Sequence, residues 1–168
     1  MLVPLLRSHG DLHILFTERP KHLKHHAGQI SFPGGGREPK DVNPLFTALR
    51  EAEEELGIPP SKVEVLGSLD ELPTVTDFRI LPFVGVLPEG MVLTPSPDEV
   101  AELIQVPLAH LAHPGNLRVE QQEWRGVLHD IHYFDYREHV IWGATGRILH
   151  NLLEVAARCP TYKELVSP

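Results

Sequence analysis

Residues 43–58 read NPLFTALREAEEELGI, and both ends of this stretch carry helix-boundary signals. Asn43 is a favourable helix cap, and Pro44 suits the first helical position because its missing N–H would have no partner there. Gly57, followed by two prolines, is an equally strong stop signal. The sequence therefore predicts a helix over about residues 44–56.

The side chains of this predicted helix separate into an apolar stripe and an acidic face. At about 100° per residue, four apolar residues fall on one side, and we expect them to pack on a sheet: Leu45, Leu49, Ala52 and Leu56. Three glutamates share the neighbouring arc, because positions i, i+3 and i+4 lie on one face: Glu51, Glu54 and Glu55. The same geometry directs Arg50 and Glu53 elsewhere.

Two interpretations of the three glutamates compete. Charged runs are usually solvated faces, yet like charges at i, i+4 cost about 0.2–0.5 kcal/mol per pair. The last turns of a helix also favour cations over anions. A bound cation would explain the cluster more simply, and hard carboxylate oxygens favour Mg²⁺ or Mn²⁺ over zinc. From the helix alone, a solvated face and a metal site are equally open.

The segment before the helix combines glycines with positive charge. Gly34, Gly35 and Gly36 permit close backbone approach and expose N–H groups, as phosphate and metal sites require, although a lone glycine triplet is more often an ordinary turn. Residues 19–40 contain five basic side chains against one acidic one, whereas the whole chain has a net charge of −8. This distribution favours a small anionic ligand and argues against a long polyanion such as nucleic acid.

Residues 50–58, REAEEELGI, resemble the end of the Nudix box, Arg-Glu-apolar-any-Glu-Glu-any-Gly-apolar, at every position. One departure lies upstream: the general box has a glutamate eight residues before its arginine, where this chain has Val42, and Asp41 stands one position earlier. The resemblance implies an α/β fold of the α+β kind, a Nudix-like α/β/α sandwich in which helices flank a mixed β-sheet. We expect a single domain over residues 1–168.

A second resemblance narrows the expected substrate. Residues 15–19 (LFTER), Lys24, Gly28 and residues 32–35 (FPGG) are similar to the motif that precedes the box in coenzyme A pyrophosphatases. Pro20 stands where that family often has serine, and Lys24 where it often has arginine. Residues 142–149, WGATGRIL, resemble a segment near the family's C-terminus. The implied reaction cleaves the pyrophosphate bond of coenzyme A or a derivative into 3′,5′-ADP and 4′-phosphopantetheine.

These resemblances imply roles for particular residues. The implied metal ligands, for Mg²⁺ or Mn²⁺, are Glu51, Glu54, Glu55 and the carbonyl of Gly35 or Gly36. Arg50 would orient a glutamate, and the general base could be Glu54, Glu55 or Glu99. The expected phosphate-binding residues are Arg19, Lys21, Lys24, Gly34, Gly35 and Gly36, although each basic side chain could equally be a solvated loop charge.

Two alternatives to coenzyme A hydrolysis remain open. One is a Nudix pyrophosphatase that acts on ADP-ribose, NADH or another dinucleotide; the other is a nucleotide-binding module without turnover. A zinc site at His22, His25 and His26 is a weaker reading, because the sequence has no cysteine cluster and no His-Glu-x-x-His pattern. No signal peptide or membrane span is evident, and a single cysteine, Cys159, favours a reducing compartment. We therefore expect a cytoplasmic enzyme whose partner is a coenzyme A-like nucleotide rather than a nucleic acid or a membrane.

The remaining elements follow from apolar patterning and from proline and glycine positions. Expected strands cover residues 12–16, 29–32, 62–72, 78–87 and 100–106, with a short helix at 108–111, a hairpin pair at 117–124 and 131–136, and a final helix at about 144–158.

Overall fold

The computed structural model describes residues 1–23, 26–74, 78–124 and 126–162. The helices are α1 (Pro44–Leu56), α2 (Leu108–Ala112) and α3 (Gly143–Ala156). The strands are β1 (Leu2–Ser8), β2 (Asp11–Glu18), β3 (Ile30–Ser31), β4 (Glu64–Ser68), β5 (Leu72–Pro73), β6 (Arg79–Ile80), β7 (Phe83–Val86), β8 (Glu102–Pro107), β9 (Leu117–Trp124), β10 (Val127–Tyr136) and β11 (His139–Ile141). Among the described residues, no helix is long and apolar enough to cross a bilayer.

The main sheet has the order β3-β2-β1-β7-β4, with β8 also paired to β2. Strands β1 and β7 run parallel, whereas β1–β2, β2–β3, β2–β8 and β4–β7 are antiparallel, so the expected mixed sheet is confirmed. A second, three-stranded sheet has the order β11-β10-β9. Its hairpin of β9 and β10 confirms the predicted pair of strands, although β10 begins at Val127 rather than at residue 131.

The main sheet buries apolar side chains on both faces, because neighbouring residues of a strand point to opposite sides. In β1 and β2, Leu2 and Leu15 pack with Ala48, Ala52 and Leu56 of α1 on one face. On the other face, Val3, Ile14 and Phe16 share a core with residues of β10, β11 and α3: Phe134, Ile141, Ile148, Leu149 and Leu152. This arrangement is the expected sandwich of helices around a sheet.

Helix α1 begins and ends as predicted. The Asn43 side chain accepts a hydrogen bond from the Phe46 N–H at 2.8 Å, and Gly57 closes the helix in the left-handed region at φ 66°. The predicted apolar stripe needs correction: Ala48, which was not predicted, is fully buried, whereas Leu45 and Leu49 are only partly buried.

The predicted strands at 62–72 and 78–87 are wrong as continuous elements. The first opens with a 3₁₀ turn at Pro60–Lys62 and splits into β4 and β5, while the second splits into β6 and β7. Pro82 lies between β6 and β7, where it cannot donate a ladder hydrogen bond. The Pro82 carbonyl instead accepts from the Leu69 N–H at 2.9 Å. Strands β1 and β11 were not predicted.

Candidate active site

The glycine loop touches the acidic face of α1. The Gly34 N–H donates to Glu55 Oε1 at 3.3 Å. A Cβ added at Gly35 would lie 2.5 Å from the carboxylate of Glu51, so any side chain at this position would displace the carboxylate. The sequence separates the loop and the glutamates by about twenty residues, and the fold brings them together.

Arg50 is buried and connects the loop to two of the glutamates. Its side chain is 8% exposed, and its guanidinium donates to Glu54 Oε2 at 2.7 Å and pairs with Glu51 Oε1 at 2.8 Å. Its Nη2 also donates to the Gly36 carbonyl at 3.1 Å. The prediction that Arg50 points away from the glutamates is wrong, because the long side chain reaches back across the helix face.

Asp41 anchors Arg50 from the other side. Its carboxylate, with 0% of the side chain exposed, accepts two hydrogen bonds of 3.0 Å from Arg50, one from Nε and one from Nη2. Thr47 Oγ1 and the Glu38 N–H donate to the same carboxylate at 3.0 and 2.8 Å. The hydrogen bonds from Arg50 hold the pKa of Asp41 well below its usual range. Sequence reasoning left the role of Asp41 open and missed Thr47.

Glu55 is the most strongly perturbed of the glutamates. It is 4% exposed, and burial raises its pKa to about 7; the Gly34 N–H and the charge of Arg19 oppose the rise, whereas the charges of Glu99 and Glu51 add to it. Burial also raises the pKa of Glu51, against the hydrogen bond from Arg50. A cation beside Glu55 would therefore relieve a costly buried charge.

Glu54 and Glu99 lie at the edge of this cluster. The Glu54 carboxylate is half-exposed, held by Arg50 and 3.8 Å from Lys40 Nζ. Glu99 is exposed on the loop between β7 and β8 and lies close enough for its charge to raise the pKa of Glu55. That loop is attached to the helix end, because the Thr94 and Ser96 N–H groups donate to the carbonyls of Leu56 and Glu55 at 2.9 and 2.8 Å.

The structure gives only part of the predicted phosphate-binding set a position. Arg19 is partly buried, and its Nε is enclosed without a hydrogen-bond partner among the described residues. Lys21 is exposed and lines a cavity of about 490 Å³ together with Glu18, Pro20, His22, Pro97, Ala101 and Glu102. Lys24 and His25 lie outside the described residues.

The three glutamates of α1 are not gathered around one point. A different group of possible ligands is close together among the described residues. It consists of Glu18, Glu102 and His139, whose ligand atoms all lie within 4.8 Å of one another. Arg50 explains part of the difference, since it holds both Glu51 and Glu54. Glu55 faces the glycine loop and has no such cationic contact among these residues.

A model of the NUDIX domain matches residues 1–125. The chain is a Nudix hydrolase. Such enzymes cleave phosphoric anhydrides, and in this Nudix hydrolase the matched region contains the glycine loop, α1 and the loop that carries Glu99.

Two relatives and a solved structure agree with this assignment. The chain is 42% identical to Nudix hydrolase NudL of Photorhabdus laumondii subsp. laumondii, described as uncharacterized, over 141 residues, 84% of this chain and 75% of that protein. It is 38% identical to NudL of Escherichia coli strain K12 over 152 residues, 90% of this chain and 79% of that protein. The crystal structure of a binary complex of a C. elegans Ap4A hydrolase superposes with a TM-score of 0.55 at 17% identity, over 64% of this chain and 77% of the other. That similarity supports the Nudix fold alone.

Proposed function

We propose that this Nudix hydrolase cleaves the pyrophosphate bond of coenzyme A or a derivative, giving 3′,5′-ADP and 4′-phosphopantetheine. The observation that supports this most is Arg19, which belongs to the motif similar to that of coenzyme A pyrophosphatases. Its Nε is buried without a partner among the described residues, and its charge acts on Glu55. A buried guanidinium N–H needs an acceptor, and a phosphate oxygen of the substrate would supply it.

The residues fit a divalent cation, for which we propose Mg²⁺ or Mn²⁺. Glu51 and Glu55, with Glu54 and the Gly35 carbonyl, would hold it, because Gly35 leaves room beside Glu51 and Glu55 is a buried acid that lacks a cationic contact among the described residues. When bound, such an ion neutralises diphosphate oxygens and lowers the pKa of water. Arg50, fixed by Asp41, sets the direction of Glu51.

Glu99 is our candidate for the group that removes the proton from the attacking water. Glu54 is held by Arg50, and Glu55 is buried against the glycine loop. Glu99 is exposed, and its carboxylate has no ion pair or hydrogen bond with the described residues, so it is free to turn toward a water molecule. The effect of its charge on the pKa values of Glu51 and Glu55 supports this role, because it indicates that the three carboxylates are close together.

A substrate comparison tests the proposed specificity. The purified enzyme is assayed with Mg²⁺ on coenzyme A, 3′-dephospho-coenzyme A, ADP-ribose, NADH and Ap4A, and products are separated by chromatography. We expect the highest kcat/KM for coenzyme A and a lower value when the 3′-phosphate is removed. Equal rates with and without that phosphate, or a preference for one of the other dinucleotides, would contradict the proposal and favour a different Nudix substrate.

Family membership and the intact glutamate set argue against the reading as a binding module without turnover. We also propose a cytoplasmic location. Its support is that Cys159, the only cysteine in the sequence, is exposed and unpaired, as is usual in a reducing compartment.

A further inference from the structure

A second group of metal-ligand side chains lies where strands of the two sheets meet. Glu18 at the end of β2 and Glu102 at the start of β8 are cross-strand partners in the main sheet, and His139 begins β11 of the second sheet. His139 Nδ1 lies 3.8 Å from Glu18 Oε2, and its Nε2 lies 3.7 Å from Glu102 Oε1. One ligand atom from each residue lies within 4.8 Å of the other two.

Two of these side chains are mostly buried and have no hydrogen-bond partner among the described residues. The His139 side chain is 9% exposed and that of Glu18 17% exposed. The separations of 3.7–3.8 Å between His139 and the carboxylates exceed hydrogen-bond range. Among the described residues, the polar atoms enclosed without a partner are Arg19 Nε and His132 Nδ1, so the polar atoms of His139 and Glu18 keep access to solvent, or to an ion that replaces it.

The surroundings add negative charge rather than removing it. Glu138 Oε1 lies 3.8 Å from His139 Nε2, which makes three carboxylates around a single imidazole. Within the described residues, His139 is the only basic group that forms an ion-pair contact with Glu18 or Glu102, and it is a cation only when protonated. A bound metal ion would therefore offset the negative charge of this cluster.

We propose that Glu18, Glu102 and His139 bind a divalent transition-metal ion, for which Zn²⁺ is the probe. Carboxylates alone suit Mg²⁺, whereas an imidazole nitrogen shifts the preference to transition metals. In a tetrahedral zinc site with ligands at about 2.0–2.2 Å, the ligand atoms lie roughly 3.3–3.6 Å apart. Ligand atoms that are up to 4.8 Å apart must therefore close by about 1 Å, and the half-exposed Glu102 is able to move.

This site is separate from the one on α1, because the two share no residue. Its expected consequence is mechanical: an ion here ties β2 and β8 of the main sheet to β11 of the second sheet. A ligand that binds only the folded state raises the free energy of unfolding, and the increase grows with the logarithm of the ratio of ligand concentration to Kd. Zn²⁺ should therefore raise the melting temperature of the metal-free protein.

The test uses the chelator-treated full chain in excess Mg²⁺, which competes for the all-oxygen ligands on α1. Zn²⁺ binding is measured by titration calorimetry, and the melting temperature is followed with and without Zn²⁺. The variants are His139→Gln and Glu102→Gln. Glu89→Gln is the matched control, because Glu89 is exposed and lies outside the cluster.

We expect wild type and Glu89→Gln to bind one more Zn²⁺ than His139→Gln and to melt higher when Zn²⁺ is added. In Glu102→Gln the affinity should fall by at least about tenfold, since loss of even an outer-shell partner often costs that much. Because Glu102 is half-exposed, this variant remains informative if His139→Gln fails to fold. Equal zinc stoichiometry and equal melting shifts in all variants would overturn the proposal. So would the absence of any Zn²⁺ binding or melting shift in the wild-type protein.

Discussion

Substitution of Gly35 by alanine is expected to inactivate the enzyme with little effect on its fold. The added Cβ would lie 2.5 Å from the Glu51 carboxylate, whereas ordinary contact begins at 3.4 Å, so the carboxylate must retreat by about 0.9 Å. Displacement of a reacting or positioning group by about 1 Å can cost about 10²-fold in rate. The flexible end of Glu51 can absorb the movement, so the melting temperature should change little.

The assay compares kcat/KM on the best substrate, with saturating Mg²⁺, for wild type, Gly35→Ala and Gly36→Ala. A Cβ at Gly36 would have no neighbour within 4 Å, and neither glycine has left-handed backbone. Alanine therefore fits at position 36, and at position 35 the contact with Glu51 is the obstacle. We expect a loss of about 10²-fold for Gly35→Ala and a much smaller loss for Gly36→Ala. Equal losses in both variants, or full activity of Gly35→Ala, would refute the reasoning from this contact.

Three further predictions concern the core, the arginine anchor and the proton acceptor. Leu56→Ala should lower the free energy of unfolding in urea by about 2–5 kcal/mol, because Leu56, the last residue of α1, is fully buried in the core between the helix and the sheet; unchanged stability would contradict that packing. Asp41→Asn should lower the urea midpoint at neutral pH, and because the pKa of Asp41 is depressed when folded, its difference from wild type should shrink as the pH falls below about 4. A constant difference across that range would argue against the pairing with Arg50. Glu99→Gln should lower kcat by about 10²- to 10⁴-fold without weakening Mg²⁺ binding, and an unchanged kcat would exclude Glu99 as the base.

Helix α1 could be predicted to the residue because its boundaries depend on local chemistry. The Asn43 cap, Pro44 and the left-handed Gly57 act within a few residues of the helix ends, and each acts in the structure as expected. The grouping of the three glutamates on one face follows from the same local geometry. The helical wheel does not contain side-chain reach, so it directed Arg50 away from the glutamates that it contacts, and only the family resemblance indicated that Arg50 orients one of them.

Features that depend on distant parts of the chain were harder to predict. Strand β1 contains Pro4, which ordinarily argues against a central strand, yet the parallel partner opposite Pro4 is Gly85. The loop before α1 brings Asp41 next to Arg50, and in the sequence only its place one position before the expected box glutamate hinted at a role. The group of Glu18, Glu102 and His139 joins strands far apart in sequence, and no motif marks it.

The central claim is that the buried carboxylate of Glu55 holds a divalent ion needed for hydrolysis. The most direct test compares kcat on the best substrate in Mg²⁺ for wild type, Glu55→Gln and Glu53→Gln. Glu53→Gln is the control, because Glu53 is exposed on the same helix. Removal of a metal ligand should cost several kcal/mol of transition-state stabilisation, so Glu55→Gln should lose more than about 10²-fold while Glu53→Gln stays near wild type. A Glu55→Gln variant that turns over at the wild-type rate would contradict the account.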